Sequence, residues 1–195
     1  MILGLCGSAG AGKTSVAQYL QKTHAFSMRA FADAIRRLCH AALNAHPMPP
    51  TVVELEHIPG TPEIKRFITA SVLYEKTPFG RWLFQIVGTE IGRAIDPDVW
   101  VRFAMQNLPS QTVFHDVRFP NEVVAIRERG GSLWRIKRPG LQLPGWVARH
   151  ASERALKAVV PDAVLINDSD LRTLYDRADA ALETAQRGPH GDSRK

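Results

Sequence analysis

The sequence is poor in cysteine and has no long hydrophobic run, and each absence excludes a class of protein. Its two cysteines among 195 residues, Cys6 and Cys39, lack the spacing of metal ligands. We therefore predict buried, reduced thiols and a cytoplasmic location. No apolar run approaches the roughly 18–20 residues of a membrane span. The apolar run near the N-terminus has no charged segment before it, so a secretion signal is not predicted either.

Repeats and low-complexity tracts are also missing from the sequence. The composition, 45% hydrophobic and 23% charged, is typical of an ordinary globular protein. The length suits one domain, which we place at residues 1–187, with a disordered tail at 188–195. The net charge of +6 indicates a polyanionic partner, and charge alone does not distinguish a nucleotide from a nucleic acid.

A glycine-rich stretch lies near the N-terminus, "GSAGAGKT" from Gly7 to Thr14. It fits the pattern G-x-x-x-x-G-K-[ST] at every fixed position. An apolar run of strand length precedes it and a helical pattern follows it, an arrangement that directs backbone N–H groups at a phosphate chain. A flexible loop that matches by chance is the alternative. We predict a nucleoside triphosphate site.

The predicted ATP-binding residues all lie in or next to this stretch. They are Gly7, Ala9, Gly10, Ala11, Gly12, Lys13, Thr14 and Ser15. Lys13 is expected to reach the β- and γ-phosphates and the Thr14 hydroxyl to hold Mg²⁺.

Strand and helix patterns alternate along the rest of the chain, which predicts an α/β fold with a parallel sheet and helices on both faces. The predicted strands are Ile2–Cys6, Ala25–Ala30, Thr112–His115, Ser132–Pro139 and Ala163–Asn167. The predicted helices are Thr14–Gln21, Phe31–Ala45, Glu63–Tyr74, Phe79–Ile95, Val99–Gln106, Asn121–Arg129, Ala151–Val159 and Asp170–Gln186. Ligands of such sheets bind beyond the carboxyl ends of the strands. The polar residues predicted there are Asp33, Asp116, Arg118, Arg138, Asn167 and Asp168.

Two missing motifs bear on the reaction. The chain has no N-K-x-D segment of a guanine-specific switch, and no glutamate follows Asp116 to polarise water. Transfer to an acceptor is therefore favoured over hydrolysis. An acceptor phosphate has a second pKa of about 6 and needs no general base, but two anions that approach each other need cations around them. We predict that Arg118, Arg135 and Arg138 are catalytic; solvated surface charges are the alternative.

The middle of the chain carries two glycines in a helical pattern, "FQIVGTEIGR". In an α-helix, Gln85, Thr89 and Gly92 would share one face. Each interior glycine costs about 1 kcal/mol relative to alanine, so something must approach closely. Tight helix packing and a base or sugar lying on the glycine face are the two interpretations.

Several ordered segments resemble the bacteriophage-type deoxynucleoside monophosphate kinases: "FADAIRR", "LFQIVGTEIGR", "DPDVWV", "HDVRFPNEVVAIRERGGSLWRIKRPG" and "HASERAL". The resemblance extends from the first strand to about Leu174. It implies transfer of the ATP γ-phosphate to a deoxynucleoside monophosphate with Mg²⁺. It also implies a P-loop kinase fold with a five-stranded parallel core, a helical acceptor-binding region at about 31–107 and a lid at about 138–152.

The resemblance further assigns individual residues. The acceptor side comprises Asp33, Arg36, Gln85, Thr89, Glu90, Arg93, Asp116 and His150. Asp116 would join Thr14 at the metal, and Asn167 would lie near the adenine. His150 fits a helix start as well as a substrate contact. If a phage encodes the chain, the expected location is the host cytoplasm.

Other functions remain open on the sequence alone. A related P-loop kinase could act on a modified base in DNA or on a small phosphorylated metabolite. A module that binds ATP without turning it over is a non-enzymatic alternative. No stripe of aromatic and basic residues is visible, so stable nucleic-acid binding is not expected. A homodimer is left open.

Overall fold

The structure is a computed structural model that describes residues 1–44, 86–142 and 155–187, with the backbone alone at 39–44. The chain forms two compact units. One, which we call the sheet unit, joins Met1–Ala30 to Asn107–Lys195, and the other, the inserted unit, is Phe31–Gln106. The sequence analysis places one domain at residues 1–187 and a helical region within it at about 31–107. The ends of the inserted unit lie close to the ends of that helical region.

The sheet unit is built on five parallel strands. They are β1 (Ile2–Cys6), β2 (Ser27–Arg29), β3 (Thr112–Phe114), β4 (Ser132–Lys137) and β5 (Ala163–Ile166). Their order across the sheet is β2-β3-β1-β4-β5. In register, Leu3 pairs with Val113 of β3, and Leu5 pairs with Trp134 of β4. The predicted parallel α/β fold is confirmed.

Helices cover both faces of the sheet. They are α1 (Lys13–His24), α5 (Pro120–Arg127) and α6 (Leu171–Arg187). Alternate residues of β1 point to opposite faces. Leu3 and Leu5 are fully buried in one cluster with residues of α1 and α6. Gly4, between them, faces α5, because a Cβ there would lie 2.6 Å from Ile126 Cδ1. Such two-sided burial explains why β1 is a continuous apolar run.

The inserted unit is helical in the part that the structure describes. Its elements are α2 (Asp33–Asn44), a π-helix (Ile86–Ile91), α3 (Gly92–Ile95) and α4 (Val99–Ala104). The sequence pattern predicts a helix over Phe79–Ile95. Its described part is helical and consists of a π-helix followed by α3. The Trp100 indole Nε1 donates a hydrogen bond of 2.7 Å to the Gly88 carbonyl oxygen. A side-chain donor that binds a backbone carbonyl oxygen competes with the regular hydrogen bonds of an α-helix, which favours a departure from α-helical geometry.

Other predictions are corrected at element ends or lie outside the described ranges. Residues 155–158 form a turn, where the sequence pattern predicts the end of a helix. The predicted helix Glu63–Tyr74, most of the lid and the tail at 188–195 lie outside the described residues. Among the helices that are described, none is long and apolar enough to cross a membrane.

Candidate active site

The glycine-rich turn between β1 and α1 has a backbone that only glycine allows. Gly7 and Gly12 have φ angles of 136° and 113°, a region that other residues rarely adopt. A Cβ on Gly7 would lie 2.2 Å from the carbonyl oxygen of Ile136 in β4, too close for any side chain. The turn therefore passes directly against the carboxyl end of β4. This is where ligands bind in a parallel sheet, beside the central strand.

Positive charge collects at this turn. Lys13 Nζ donates hydrogen bonds to the carbonyl oxygens of Gly7 at 2.6 Å and Ser8 at 2.9 Å, so the ammonium group lies over the loop. Helix α1 begins at Lys13, and its first turn contains no acidic residue. Gly12 precedes it without a side chain that could cap the first N–H groups. The helix dipole and these N–H groups suit an anion. Thr14 is exposed in the same turn.

The turn after β5 is attached to the loop. Asn167 Nδ2 donates to the Ala11 carbonyl oxygen at 2.8 Å, and the Asn167 N–H donates to the Lys137 carbonyl oxygen at 2.7 Å. Arg177 Nη1 donates to Asp168 Oδ1 at 2.7 Å and also to the Ile166 carbonyl oxygen. The guanidinium group lowers the pKa of Asp168. Asn167 thus lies against the loop, and its place near an adenine stays a prediction.

The segment after β3 lies beside the end of β1. The Val117 N–H donates to the Leu5 carbonyl oxygen at 3.2 Å, and the His115 N–H donates to the Arg29 carbonyl oxygen at 3.2 Å. Asp116, between these two anchored residues, is buried. The structure therefore brings Asp116 and Arg118 to the edge of the sheet from which the glycine-rich turn also starts.

Glu122 is a residue of this edge that sequence reasoning missed. Its Oε2 atom accepts the N–H groups of Arg118 at 2.7 Å and Phe119 at 3.1 Å. The signal was present in the sequence. Pro120 begins α5 and Glu122 stands two residues later, which is the position of the acidic partner in a capping box.

The two arginines at the end of β4 differ in their surroundings. Arg135 Nη2 donates to the carbonyl oxygens of Leu156 at 2.7 Å and Val159 at 2.6 Å. Its guanidinium group thus joins β4 to the segment before β5, which is a structural function; a catalytic one stays a prediction. Arg138 is exposed just beyond β4.

Cys6 ends β1 directly before the loop and is buried, as predicted. Burial raises the pKa of its thiol, although the nearby positive charges of Arg135 and Lys13 act in the opposite direction. Burial therefore disfavours the thiolate, which is the reactive form of a cysteine. The side chain of Cys39 lies outside the described residues.

In the inserted unit, the predicted acceptor residues are partly held by local contacts. Asp33 Oδ1 pairs with Arg36 Nη1 at 2.8 Å, and Arg93 Nη1 donates to the Pro97 carbonyl oxygen at 3.0 Å. Thr89 is half-buried and Glu90 is exposed. Gln85 and His150 lie outside the described residues.

The two glycines of this segment are explained by packing between protein groups. A Cβ on Gly88 would lie 2.7 Å from Ile35 Cδ1, and a Cβ on Gly92 would lie 2.3 Å from the Trp100 ring. The packing interpretation therefore accounts for both glycines, and a base or sugar lying on this face stays a prediction.

A parallel sheet whose first strand leads through this turn into a helix defines a P-loop kinase-like α/β protein. The family model of deoxynucleotide monophosphate kinases matches residues 61–178, and the chain belongs to this family. A protein of Acanthamoeba polyphaga mimivirus named "Putative deoxynucleotide monophosphate kinase" is 29% identical over 209 residues, which cover 95% of this chain and 97% of that protein. An uncharacterized protein, ORF77, of Ictalurid herpesvirus 1 is 30% identical over 112 residues, which are 54% of this chain and 49% of that protein.

Two solved structures overlay on most of the chain. A sugar kinase from Janibacter sp. has a TM-score of 0.44 at 14% identity, with 93% of this chain and 94% of that chain covered. A dephospho-CoA kinase from Campylobacter jejuni has a TM-score of 0.47 at 16% identity, with 96% and 98% covered. The family assignment depends on the matched residues 61–178 and not on these overlays.

Proposed function

We propose that the protein transfers the γ-phosphate of ATP to the 5′-phosphate of a deoxynucleoside monophosphate, giving a deoxynucleoside diphosphate and ADP. The observation that supports it most is the phosphate-loop geometry at residues 7–14, where Lys13 lies over the loop at the start of α1. The family match covers residues 61–178 and does not include this loop. The loop and the family match are therefore separate lines of support for one function.

The sheet unit would hold ATP through the N–H groups and the positive charge of the loop. Lys13 would stabilise charge that develops between the β- and γ-phosphates. Its two hydrogen bonds to loop carbonyl oxygens keep the ammonium group at the place where the phosphates would lie. Ser15 and Asn167 complete the proposed ATP-binding set.

The donor chemistry at the edge of the sheet suits Mg²⁺. Thr14 offers a hydroxyl and Asp116 a carboxylate, the oxygen ligands that Mg²⁺ prefers. Within the described ranges, no group of three histidine, cysteine or acidic residues could form a cage for a metal. Mg²⁺ bound mainly by phosphate oxygens and water fits this sparse set, and it would neutralise charge on the transferred phosphoryl group.

Arg118 and Arg138 would supply the cations that two approaching phosphates require. Both follow strands of the sheet unit, and neither is buried. Because the acceptor phosphate is ionised at neutral pH, we assign no general base. On the acceptor side, Asp33, Arg36, Thr89, Glu90 and Arg93 of the inserted unit are our candidates for binding the deoxynucleotide.

The proposed function is tested by incubation of the protein with ATP, Mg²⁺ and each of the four common deoxynucleoside monophosphates. Ion-exchange chromatography should show ADP and a deoxynucleoside diphosphate in equal amounts for at least one acceptor. ADP formed at the same rate without any acceptor would indicate hydrolysis and contradict the proposal. If radiolabel from ATP appeared on an oligonucleotide and on no mononucleotide, a kinase acting on DNA would replace it.

A second arm separates the reaction from mere ATP binding. Calorimetry should show binding of ATP, and the deoxynucleotide product should accumulate with repeated turnover. Binding of ATP without any product from natural or modified deoxynucleotides would favour the nucleotide-sensing alternative. A homodimer and the cytoplasmic location stay predictions.

A further inference from the structure

A buried carboxylate outside the predicted site contacts the segment that carries two predicted site residues. Glu122 lies at the third position of helix α5 and is only 2% exposed. A carboxyl group is rarely buried to this extent unless hydrogen bonds compensate for the lost water. The hydrogen bonds that compensate for the burial of Glu122 indicate its role.

The Oε2 atom of Glu122 accepts two backbone N–H groups outside the helix. The bond from the Phe119 N–H, at 3.1 Å, is the usual contact of a capping box. The bond from the Arg118 N–H is shorter, at 2.7 Å, and reaches one residue further from the helix. Glu122 therefore holds the loop itself as well as the end of the helix.

The other end of this loop is fixed by the sheet. The His115 N–H donates to the Arg29 carbonyl oxygen of β2, and the Val117 N–H donates to the Leu5 carbonyl oxygen of β1. Asp116 lies between these two anchors. Arg118 lies between the anchor at Val117 and the carboxylate. The orientations of the Asp116 and Arg118 side chains therefore depend on the backbone between them. This backbone is held by β1 and β2 on one side and by Glu122 on the other.

We propose that Glu122 is a positioning residue, which fixes the Asp116–Arg118 backbone so that the Asp116 carboxylate can reach Mg²⁺ and the Arg118 guanidinium group can reach the phosphates. This inference rests on the proposed function. Glu122 is not proposed to touch substrate or metal. Its effect passes through the peptide groups of Arg118 and Phe119, and errors of about 1 Å in such positioning can lower rates by about 100-fold.

The test compares Glu122→Ala with Glu122→Gln. Glutamine keeps a carbonyl oxygen that can accept both N–H groups, whereas alanine leaves them without this acceptor. We expect Glu122→Ala to lower kcat by about 10- to 100-fold. The KM for ATP should change by less than about 3-fold, since the phosphate loop is intact. Glu122→Gln should recover kcat to within about 5-fold of wild type. Glu128→Gln, an exposed position at the end of the same helix, is the matched control and should behave as wild type.

Two further measurements separate positioning from folding and from the function itself. Rates are normalised to folded protein from thermal unfolding, so a wild-type kcat in the folded Glu122→Ala fraction would show a purely structural role and overturn the proposal. Electron paramagnetic resonance of Mn²⁺ with ADP and protein gives a readout without turnover. We expect the Mn²⁺ affinity to fall about 10-fold in Glu122→Ala and to recover in Glu122→Gln. If wild type phosphorylated no deoxynucleotide, the proposed function would fail, and the Mn²⁺ measurement would still decide the role of Glu122: unchanged affinity in Glu122→Ala would reject it.

Discussion

Glycine serves different purposes in the two units of the molecule. In the sheet unit, a Cβ on Gly7 would lie 2.2 Å from the carbonyl oxygen of Ile136, and its φ of 136° already excludes most side chains. In the inserted unit, a Cβ on Gly92 would lie 2.3 Å from the Trp100 ring. The first constraint comes from backbone groups of neighbouring strands, and the second comes from one large side chain.

The difference shows which kind of site can be found in a sequence. A turn that needs positive φ angles and a lysine at a fixed spacing forms over eight consecutive residues, so its pattern is visible without the fold. A helix that needs a glycine because a distant indole packs on it carries no such pattern. The pattern of the phosphate loop is therefore local in sequence, while the need for glycine in the inserted unit depends on tertiary packing.

The largest effect is expected at the charge of the phosphate loop. Lys13→Ala should lower kcat by about 10²- to 10³-fold, because in the proposed reaction the ammonium group would stabilise charge that develops in the transition state. The unfolding midpoint should change by no more than about 4 °C, since the lost contacts lie on a half-exposed loop. Steady-state kinetics and thermal unfolding measure the two quantities.

The matched control for this substitution is Lys22→Ala. Lys22 is exposed in the last turn of the same helix, and its removal should leave kcat unchanged. Equal losses of activity in both variants would mean that overall charge matters and that Lys13 has no special position.

The two glycines allow a direct test of the comparison. Gly7→Ala should lower the free energy of unfolding by about 3 kcal/mol or more, because backbone strain adds to a clash that no side-chain rotation relieves. Gly92→Ala should lower it by only about 1–2 kcal/mol, since better helix propensity offsets part of the overpacking against Trp100. Urea unfolding measures both. Gly130→Ala is a useful reference, because it has a φ of 69° but nothing within 4 Å of a new Cβ. A larger loss in Gly92→Ala than in Gly7→Ala would reverse the comparison.

Removal of the Trp100 indole N–H tests how much its hydrogen bond to the Gly88 carbonyl oxygen stabilises the inserted unit. Trp100→Phe keeps an aromatic ring but loses the hydrogen bond to the Gly88 carbonyl oxygen, and should lower stability by about 1–2 kcal/mol. If this unit binds the acceptor, the KM for the deoxynucleotide should rise about 3- to 10-fold while the KM for ATP stays within about 2-fold. Phe103→Leu, at a side chain that is 54% exposed, is the control. Equal changes in both KM values would contradict the separation of roles.

The sheet could be predicted because β1 and β3 are short apolar runs that are buried along most of their length, and β4 and β5 also have short patterns typical of strands. Thr112–Phe114 and Ala163–Ile166 lie within one residue of their predicted ends. The loop residues at 7–14 could be predicted for the same local reason. The π-helix at Ile86–Ile91 could not, because the sequence pattern does not show that the Trp100 indole donates to a carbonyl oxygen of this segment. Nor could the carbonyl contacts of Arg135, which depend on where residues 156–159 return to the sheet.

The smallest effect is expected from the ion pair between Asp168, in the turn after β5, and Arg177 of α6. The Arg177 guanidinium group lowers the pKa of Asp168, so the pair stabilises the fold above the ordinary aspartate pKa of 3.8. This stability is lost as the pH falls through the lowered value. Asp168→Asn should therefore melt slightly below wild type at pH 7, and the difference should shrink as the pH falls below about 4. The effect is small because both groups are exposed to solvent and screened by salt.

Backbone and amide bonds hold the same turn independently of this pair. Asn167 donates to the Ala11 and Lys137 carbonyl oxygens whether or not Asp168 is charged. The affinity for ATP, measured by calorimetry, should therefore stay within about 2-fold of wild type in Asp168→Asn. Asp176→Asn, an exposed position on α6, controls for the loss of one charge. A large loss of ATP affinity in Asp168→Asn alone would show that the proposed ATP site depends on a side-chain pair and not only on these backbone and amide bonds.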